Sequence, residues 1–209
     1  ENVKVCGWKP AIRGMRNSYN SWDKSDSYGM DEDFKIGPID YSLMLKLAKS
    51  GPSHSKYRRM IVVYVDVTAP LYWWSEYDTY KVGTVANSCS KMHTIASKEF
   101  TMEDFSHEHL CETYEMLLSG IIGILNYFRD EYNKLNFTDD YKKQCWWQMI
   151  QLLPSSYNQR RTLMLNYEVL SSIYKDRKNH KLDEWVDFCK WIEELPYSQL
   201  ITLEDTKND

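Results

Sequence analysis

The sequence predicts an α+β fold: a small central antiparallel or mixed sheet in the first half and a predominantly helical second half. Three observations predict it. Ile61, Val63, Val65 and Val67 alternate with Val62, Tyr64, Asp66 and Thr68, a β-branched run that reads as a strand. From about residue 103 the apolar spacing becomes that of helices. With 209 residues and 43% hydrophobic content, the chain has enough apolar material for a substantial core. It is read as a single α+β domain over 1–209, with an N-terminal segment (1–37), a helix–strand–loop part (38–102), a helical part (103–197) and a tail (198–209).

Each element has its own reason. Residues 1–37 are polar and interrupted by Gly and Pro, which predicts irregular structure or short strands. A helix is expected over 40–50, with Asp40 as its N-cap, Leu43, Leu47 and Ala48 on one face, and Gly51-Pro52 ending it. The strand over 56–69 is apolar on both faces, so it belongs inside a sheet. Pro70 opens an aromatic helix over 71–77, because Pro is tolerated in a first turn. The small polar residues of 78–94, around Gly83, read as a loop. A long amphipathic helix follows over 108–133, with Leu110, Leu117, Ile121, Ile124, Leu125 and Phe128 inward. Helices over 141–152, 160–176 and 183–195 complete the chain. Leu153-Pro154 breaks the first of these, and Trp185, Phe188, Cys189 and Ile192 keep helical spacing in the last.

Composition narrows the function classes. The net charge is −4 with both signs mixed and no basic stripe, which excludes general nucleic-acid binding. The five cysteines, Cys6, Cys89, Cys111, Cys145 and Cys189, are odd in number and form no C-x-x-C pair. That argues against a zinc site and against a disulfide framework, and fits a reducing, cytoplasmic setting. His107-x-His109 lacks a third ligand, so no metal is expected. No run approaches the roughly 20 apolar residues of a membrane span. The chain begins at Glu1 rather than Met, so a few preceding residues are expected and a signal peptide is not judged. The sequon Asn136-Phe137-Thr138 carries little weight outside a secretory context. Sixteen Tyr and eight Trp suit subunit interfaces and half-open pockets, or equally an aromatic core. Trp73-Trp74 and Trp146-Trp147 are read as core or interface, and Arg58-Arg59 as a solvated strand start.

The order of landmarks carries a resemblance. Lys49-Ser50-Gly51 and Ser53-His54 precede the strand. An aromatic helix and a loop with Asn87-Ser88-Cys89-Ser90 follow it. Leu153-Pro154, Asn166, Arg177, His180 and Glu184 come later. Over roughly 40–195 this resembles the flavin-dependent thymidylate synthase (ThyX-like) family. That family's signature is Arg-His-Arg followed after an interval by Ser-x-Arg, with Asn-Glu just before the Ser. Here Asn87 and Ser90 match. Ser88 replaces the Glu, Met92 the last Arg, and Thr79-Tyr80-Lys81 the Arg-His-Arg. Ile150 stands where a family Arg precedes Leu-Pro. Arg160, Asn166, Arg177, His180 and Glu184 keep the C-terminal pattern, the last two with one residue deleted.

The resemblance implies methylation of dUMP, with methylenetetrahydrofolate as carbon donor, reduced FAD as hydride source and NADPH as reductant. It implies a homotetramer with active sites between subunits. Arg177 is the catalytic candidate, aimed at the pyrimidine oxygens where charge develops. Glu76, Ser88, Ser90, Lys91, Arg160 and Arg177 are candidates for binding substrate; His54, Lys81, Asn87, Asn166 and His180 for binding the cofactor. Plainer readings stand beside these. Arg177 also suits a helix C-terminus, Ser88 and Ser90 a solvated loop, Asn87 a turn, and His54 a surface turn. Three functions therefore remain open: an active enzyme with rewired phosphate contacts, a homologue that binds or sequesters a nucleotide, and a structural or interaction protein. Small divergent copies of such enzymes are also similar to those carried by phages and mobile elements.

Overall fold

The computed structural model describes residues 1–30 and 33–203. Its strands are β1 (Lys4–Cys6), β2 (Val62–Pro70), β3 (Val85–Ser88) and β4 (Asn158–Asn166). The helices are α1 (Trp8–Arg16), α2 (Pro38–Lys49), α3 (Leu71–Tyr77), α4 (Lys91–Thr94), α5 (Glu112–Asn133), α6 (Asp139–Leu152), α7 (Tyr167–Arg177), α8 (Asp183–Glu193) and α9 (Gln199–Thr202). Among the described residues the strands form one four-stranded antiparallel sheet in the order β1-β2-β4-β3. β2 is thus an interior strand, as its two apolar faces predict, and Val63 pairs with Val5 of β1. The architecture is α+β.

The chain packs as two compact units. The first comprises Glu1–Asp66, Thr79–Ala86 and the chain from Thr162 on. Its core gathers Trp8 and Ile12 of α1, Met44 of α2, Leu170 and Ile173 of α7, and Trp185 and Ile192 of α8. The helix α1 corrects the irregular reading of 1–37. Trp8, Ala11, Ile12 and Met15 form a buried stripe at helical spacing. Pro10 falls in the first turn, where its missing N–H removes no helical bond. The short α9 likewise lies in the expected tail, of which 204–209 are outside the described residues.

Among the described residues, a buried ion pair, Arg16–Asp40, and a partly buried one, Arg58–Glu168, brace this unit. Asp40 is not the N-cap of α2; Gly37 is, with Pro38 opening the helix. Asp40 instead faces inward, and its side chain and that of Arg16 are 0% and 4% exposed. Arg16 Nε donates to Asp40 Oδ1 at 2.6 Å, and the hydroxyls of Ser25 and Ser27 each donate to Oδ2 at 2.6 Å. Arg58 is also buried rather than solvated. It lies on a 3-10 turn, Ser55–Met60, that replaces the first part of the expected strand. Its Nε donates to Glu168 Oε2 at 2.8 Å, and its Nη1 to Leu200 O at 2.9 Å and Ser171 Oγ at 3.1 Å. Buried charges are tolerated when paired and hydrogen-bonded in this way.

The second unit comprises Val67–Asp78 and Asn87–Arg161. Trp73, Trp74 and Tyr77 of α3 are fully buried, with Trp73 stacked on Tyr77 at 5.3 Å. α5 packs on α6 over Leu118, Ile122, Leu125 and Met149. α5 begins at Glu112, four residues later than expected; Leu125 is buried and Ile121 and Phe128 pack against the core as expected, whereas the rest of the expected face is not inward. Leu110, Leu117 and Ile124 are exposed, the last two by 59% and 47%. The apolar doublets Leu117-Leu118, Ile121-Ile122 and Ile124-Leu125 give α5 two candidate faces, so periodicity alone does not choose between them. Two further elements depart from expectation. Residues 158–166 form a strand, with Gln159, Leu163 and Leu165 buried and Arg160 and Thr162 exposed. The expected loop over 78–94 contains β3 and α4. No helix among the described residues is long and apolar enough to cross a membrane.

Asp40 yields a prediction. Burial alone would raise its pKa, but the hydrogen bonds from Ser25, Ser27 and Arg16 and the Arg16 charge outweigh burial and lower it. A carboxylate with a depressed folded pKa contributes stability that is present above the ordinary aspartate range and is lost as pH falls through the folded value. Asp40→Asn is expected to destabilise the fold by about 3–5 kcal/mol at neutral pH, the usual effect of stranding one partner of a buried pair. It is also expected to remove that acid-side step. Urea unfolding across acid pH measures both; an unchanged acid profile contradicts the assignment.

Candidate functional site

The first unit builds its site around the end of β4. The backbone leaves the strand at Asn166, whose Oδ1 accepts from Glu168 N at 3.1 Å and Val169 N at 3.0 Å. This caps α7, since the first N–H groups of a helix lack partners of their own. The same side chain donates from Nδ2 to Gly83 O at 3.2 Å. Gly83 has φ +79°, and a Cβ there would sit 2.7 Å from Asn166 Nδ2. The site therefore requires glycine for both conformation and space. One amide thus joins β4, α7 and the loop that carries Thr79-Tyr80-Lys81.

Arg177 lies at the other end of α7. Its Nε donates to the Tyr80 hydroxyl at 2.9 Å, and its Nη1 lies 2.9 Å from His180 Nε2. The guanidinium carbon stands 4.8 Å from the centroid of the Trp185 ring and 5.6 Å from that of Tyr80. Both distances fall within cation–π range. Leu182 N also donates to His180 Nδ1, at 3.2 Å. A neutral imidazole accepts at only one nitrogen. The ring's tautomer therefore sets which of the two contacts is a hydrogen bond. Arg177 and His180, both singled out in the sequence, are in contact; Tyr80 and Trp185 were not among the sequence candidates. Tyr80 is the middle residue of the segment that replaces Arg-His-Arg, and Trp185 directly follows Glu184, so both lay beside positions already singled out.

A cavity of about 420 Å³ opens beneath the 79–83 loop. Arg59, Tyr80, Lys81, Asn166, Glu168 and Ser172 are among its lining. The Glu168 carboxylate is engaged by Arg58 and Ser55, so the remaining lining is cationic and polar. Lys81 and Asn166 both take part. His54 is exposed on the turn before Ser55–Met60 and is not among the lining residues.

The other candidates lie in the second unit. Asn87 and Ser88 are exposed on β3, and Ser90 leads into α4, where its carbonyl accepts from Thr94 N and Thr94 Oγ1. Glu76 is half-buried on α3. β4 holds the 87–92 segment through two bonds: Cys89 N donates to Arg160 O at 3.0 Å, and Gln159 Nε2 donates to Cys89 O at 3.0 Å. Lys91 and Arg160 line a second cavity, of about 300 Å³, together with Cys89, Lys98, Tyr157 and Asn158. Asn87, Ser88 and Ser90 are not part of that lining. Gln159 and Lys98 were missed because their roles depend on the strand 158–166, which had been read as helical.

No protein-family model and no curated protein matches the sequence. Solved structures do. The flavin-dependent thymidylate synthase ThyX of Helicobacter pylori, complexed with FAD and dUMP, gives a TM-score of 0.67 at 17% identity, covering 97% of this chain and 98% of that one. A second Helicobacter pylori ThyX structure with FAD and dUMP gives 0.66 at 18% identity, covering 96% of each chain. At such identities the likeness is one of fold, and this chain has a ThyX-like fold.

The double role of Asn166 is testable. Asn166→Ala removes a helix cap and a largely buried hydrogen bond, each typically about 1 kcal/mol, so a loss of about 2 kcal/mol is expected in urea unfolding. Asn166→Asp keeps the cap and loses the donor to Gly83, and should recover roughly half of it. Equal losses in the two variants would contradict the division of labour.

Proposed function

We propose that this chain is a flavin-dependent thymidylate synthase-like protein that binds dUMP and FAD, with Arg177 facing the pyrimidine. The observation that supports the reading is the constrained guanidinium. Tyr80, His180 and Trp185 hold Arg177 in one orientation, and a preorganised cation is what stabilises charge developing on a ring oxygen. The donors around the 420 Å³ cavity suit the flavin cofactor. Arg59 and Lys81 offer positive charge to a diphosphate, and Ser172 a hydroxyl. When bound, reduced FAD supplies hydride, methylenetetrahydrofolate the carbon, and NADPH the reducing equivalents. The chain itself orients the nucleotide, excludes water with Trp185 and Tyr80, and offers Arg177 N–H groups to the pyrimidine oxygens.

A second reading has its own support. Met92 and Ile150 stand where the family has arginines, and Thr79-Tyr80-Lys81 where it has Arg-His-Arg. Tyr80 and His180 already engage two Arg177 nitrogens. These substitutions favour a homologue that binds a nucleotide without turning it over. Self-association is part of both readings. α5 exposes Met116, Leu117, Ile124 and Tyr127, and Gly120 and Gly123 have open space around them. Small residues within an apolar face let a second helix approach closely, and a second copy of this chain in a homotetramer is the proposed occupant.

The purified protein is expected to take up FAD and show flavin absorbance, to form thymidylate from dUMP, and to run as a tetramer in light scattering. Arg177→Ala should abolish dUMP binding in calorimetry. A protein that stays colourless with added FAD but binds dUMP through Arg177 replaces the first reading with the second. Unchanged dUMP affinity in Arg177→Ala, or a monomer, removes the shared-pocket account.

A further inference from the structure

A third cavity, of about 310 Å³, lies wholly within the first unit, between α1 and the segment that follows it. α1 contributes Lys9, Ile12 and Arg13, and the segment contributes Trp22, Tyr28 and Phe34. Two of these rings are open to solvent: Trp22 is 41% exposed and Tyr28 69%. Lys9 and Arg13 are four residues apart and therefore neighbours on one face of α1. Neither side chain makes a hydrogen bond or ion pair among the described residues, and no carboxylate among those residues lines the cavity. Arg16 also reaches the lining, but Asp40 meets its charge. The Arg13 guanidinium carbon lies 5.2 Å from the centroid of the Trp22 ring, so cation and aromatic surface meet at one point of the wall.

The walls are fixed from below. Trp22 Nε1 donates to Asn17 Oδ1 at 2.9 Å, which sets the indole. The hydroxyls of Ser25 and Ser27, both in the lining, donate to Asp40. Tyr28 and Lys35 exchange backbone N–H···O bonds at 3.0 and 2.8 Å. Walls ordered in advance lower the cost of binding. The chemistry of the ligand follows from what the walls leave available. Both serine hydroxyls are committed, so the charged donors are the planar fork of Arg13 and the ammonium of Lys9. A carboxylate, with two oxygens in one plane, matches that fork. Trp22, Tyr28, Phe34 and Ile12 offer apolar and aromatic surface beside it, which suits a flat ring. The volume is at the small end of ligand pockets, which run from about 300 to 1,000 Å³. It suits one ring with a short acid arm rather than a dinucleotide. The cavity shares no lining residue with the one beneath the 79–83 loop.

We propose that this cavity binds an aromatic monocarboxylate, its ring against Trp22 and Phe34 and its carboxylate on Arg13, with Lys9 as the second charge. That chemistry has two sources, a free aromatic acid and the C-terminal phenylalanine of a peptide. The test is calorimetry on the full chain with phenylacetate, its uncharged analogue phenylacetamide, its non-aromatic analogue cyclohexylacetate, and the peptide glycyl-glycyl-phenylalanine. Phenylacetate or the peptide should bind wild type, and the tighter of the two identifies the source. Phenylacetamide should bind roughly ten- to a hundredfold more weakly than phenylacetate, the usual effect of losing a charged hydrogen bond. Cyclohexylacetate should bind roughly three- to tenfold more weakly, since it keeps the charge and loses the ring–ring contact. Arg13→Gln should weaken the acids roughly ten- to a hundredfold. It should melt like wild type, because an exposed side chain without an ion pair contributes little to stability, so a loss of binding is not a loss of fold. Arg177→Ala, and saturating dUMP or FAD, should leave the affinity unchanged, which keeps this site distinguishable from the proposed nucleotide site. Wild type that binds neither phenylacetate nor the peptide overturns the proposal. So does equal binding of either analogue, full affinity in Arg13→Gln, or displacement by dUMP.

Discussion

The amide of Asn166 is the constraint on which the first unit's site depends. Its oxygen starts α7 by accepting two backbone N–H groups, and its nitrogen fixes the loop at Gly83. α7 carries Arg177 at its far end, and the loop carries Tyr80, so the hydrogen bond between those two side chains is set from this one junction. The arrangement tolerates little change. Gly83 admits no Cβ, and Asn166 has no substitute that both caps and donates in the same way.

Charge is treated differently in the two units. In the first, Arg16 and Arg58 are buried against Asp40 and Glu168 and serve as internal braces. Arg177 is held by contacts that include a phenol, an imidazole and an indole. In the second unit, the Lys91 side chain makes no hydrogen bond or ion pair among the described residues. The positions that would carry arginines by family pattern are Met92 and Ile150, and positive charge appears instead at Lys91, Lys98 and Arg160. Positive charge is thus placed differently in this chain than the family pattern places it, within the same fold.

Much of the fold was legible wherever a single local signal dominated. The β-branched alternation of β2, the Pro70 start of α3 and the helical spacing of Trp185, Phe188 and Ile192 each admit one interpretation. Signals that compete were misread. α5 has apolar doublets that serve either face, and only the packing of α6 decides which is buried. Residues 158–166 combine arginines and leucines that suit a helix as well as a strand, and tertiary pairing determines the outcome. Arg58 looked solvated because its partners, Glu168, Ser171 and Leu200, are more than a hundred residues away. For the same reason, sequence pointed to Arg177 and His180, which are close in the chain, and passed over Tyr80, which is distant.

The Arg177 Nε–H resonance in a proton–nitrogen correlation spectrum tests the central claim most directly. If Tyr80 holds that group next to the nucleotide base, its peak should be resolved and slow to exchange, should become fast-exchanging in Tyr80→Phe, and should shift progressively as dUMP is added. A peak that exchanges like a solvent-exposed arginine, or that does not move at saturating dUMP, contradicts the account.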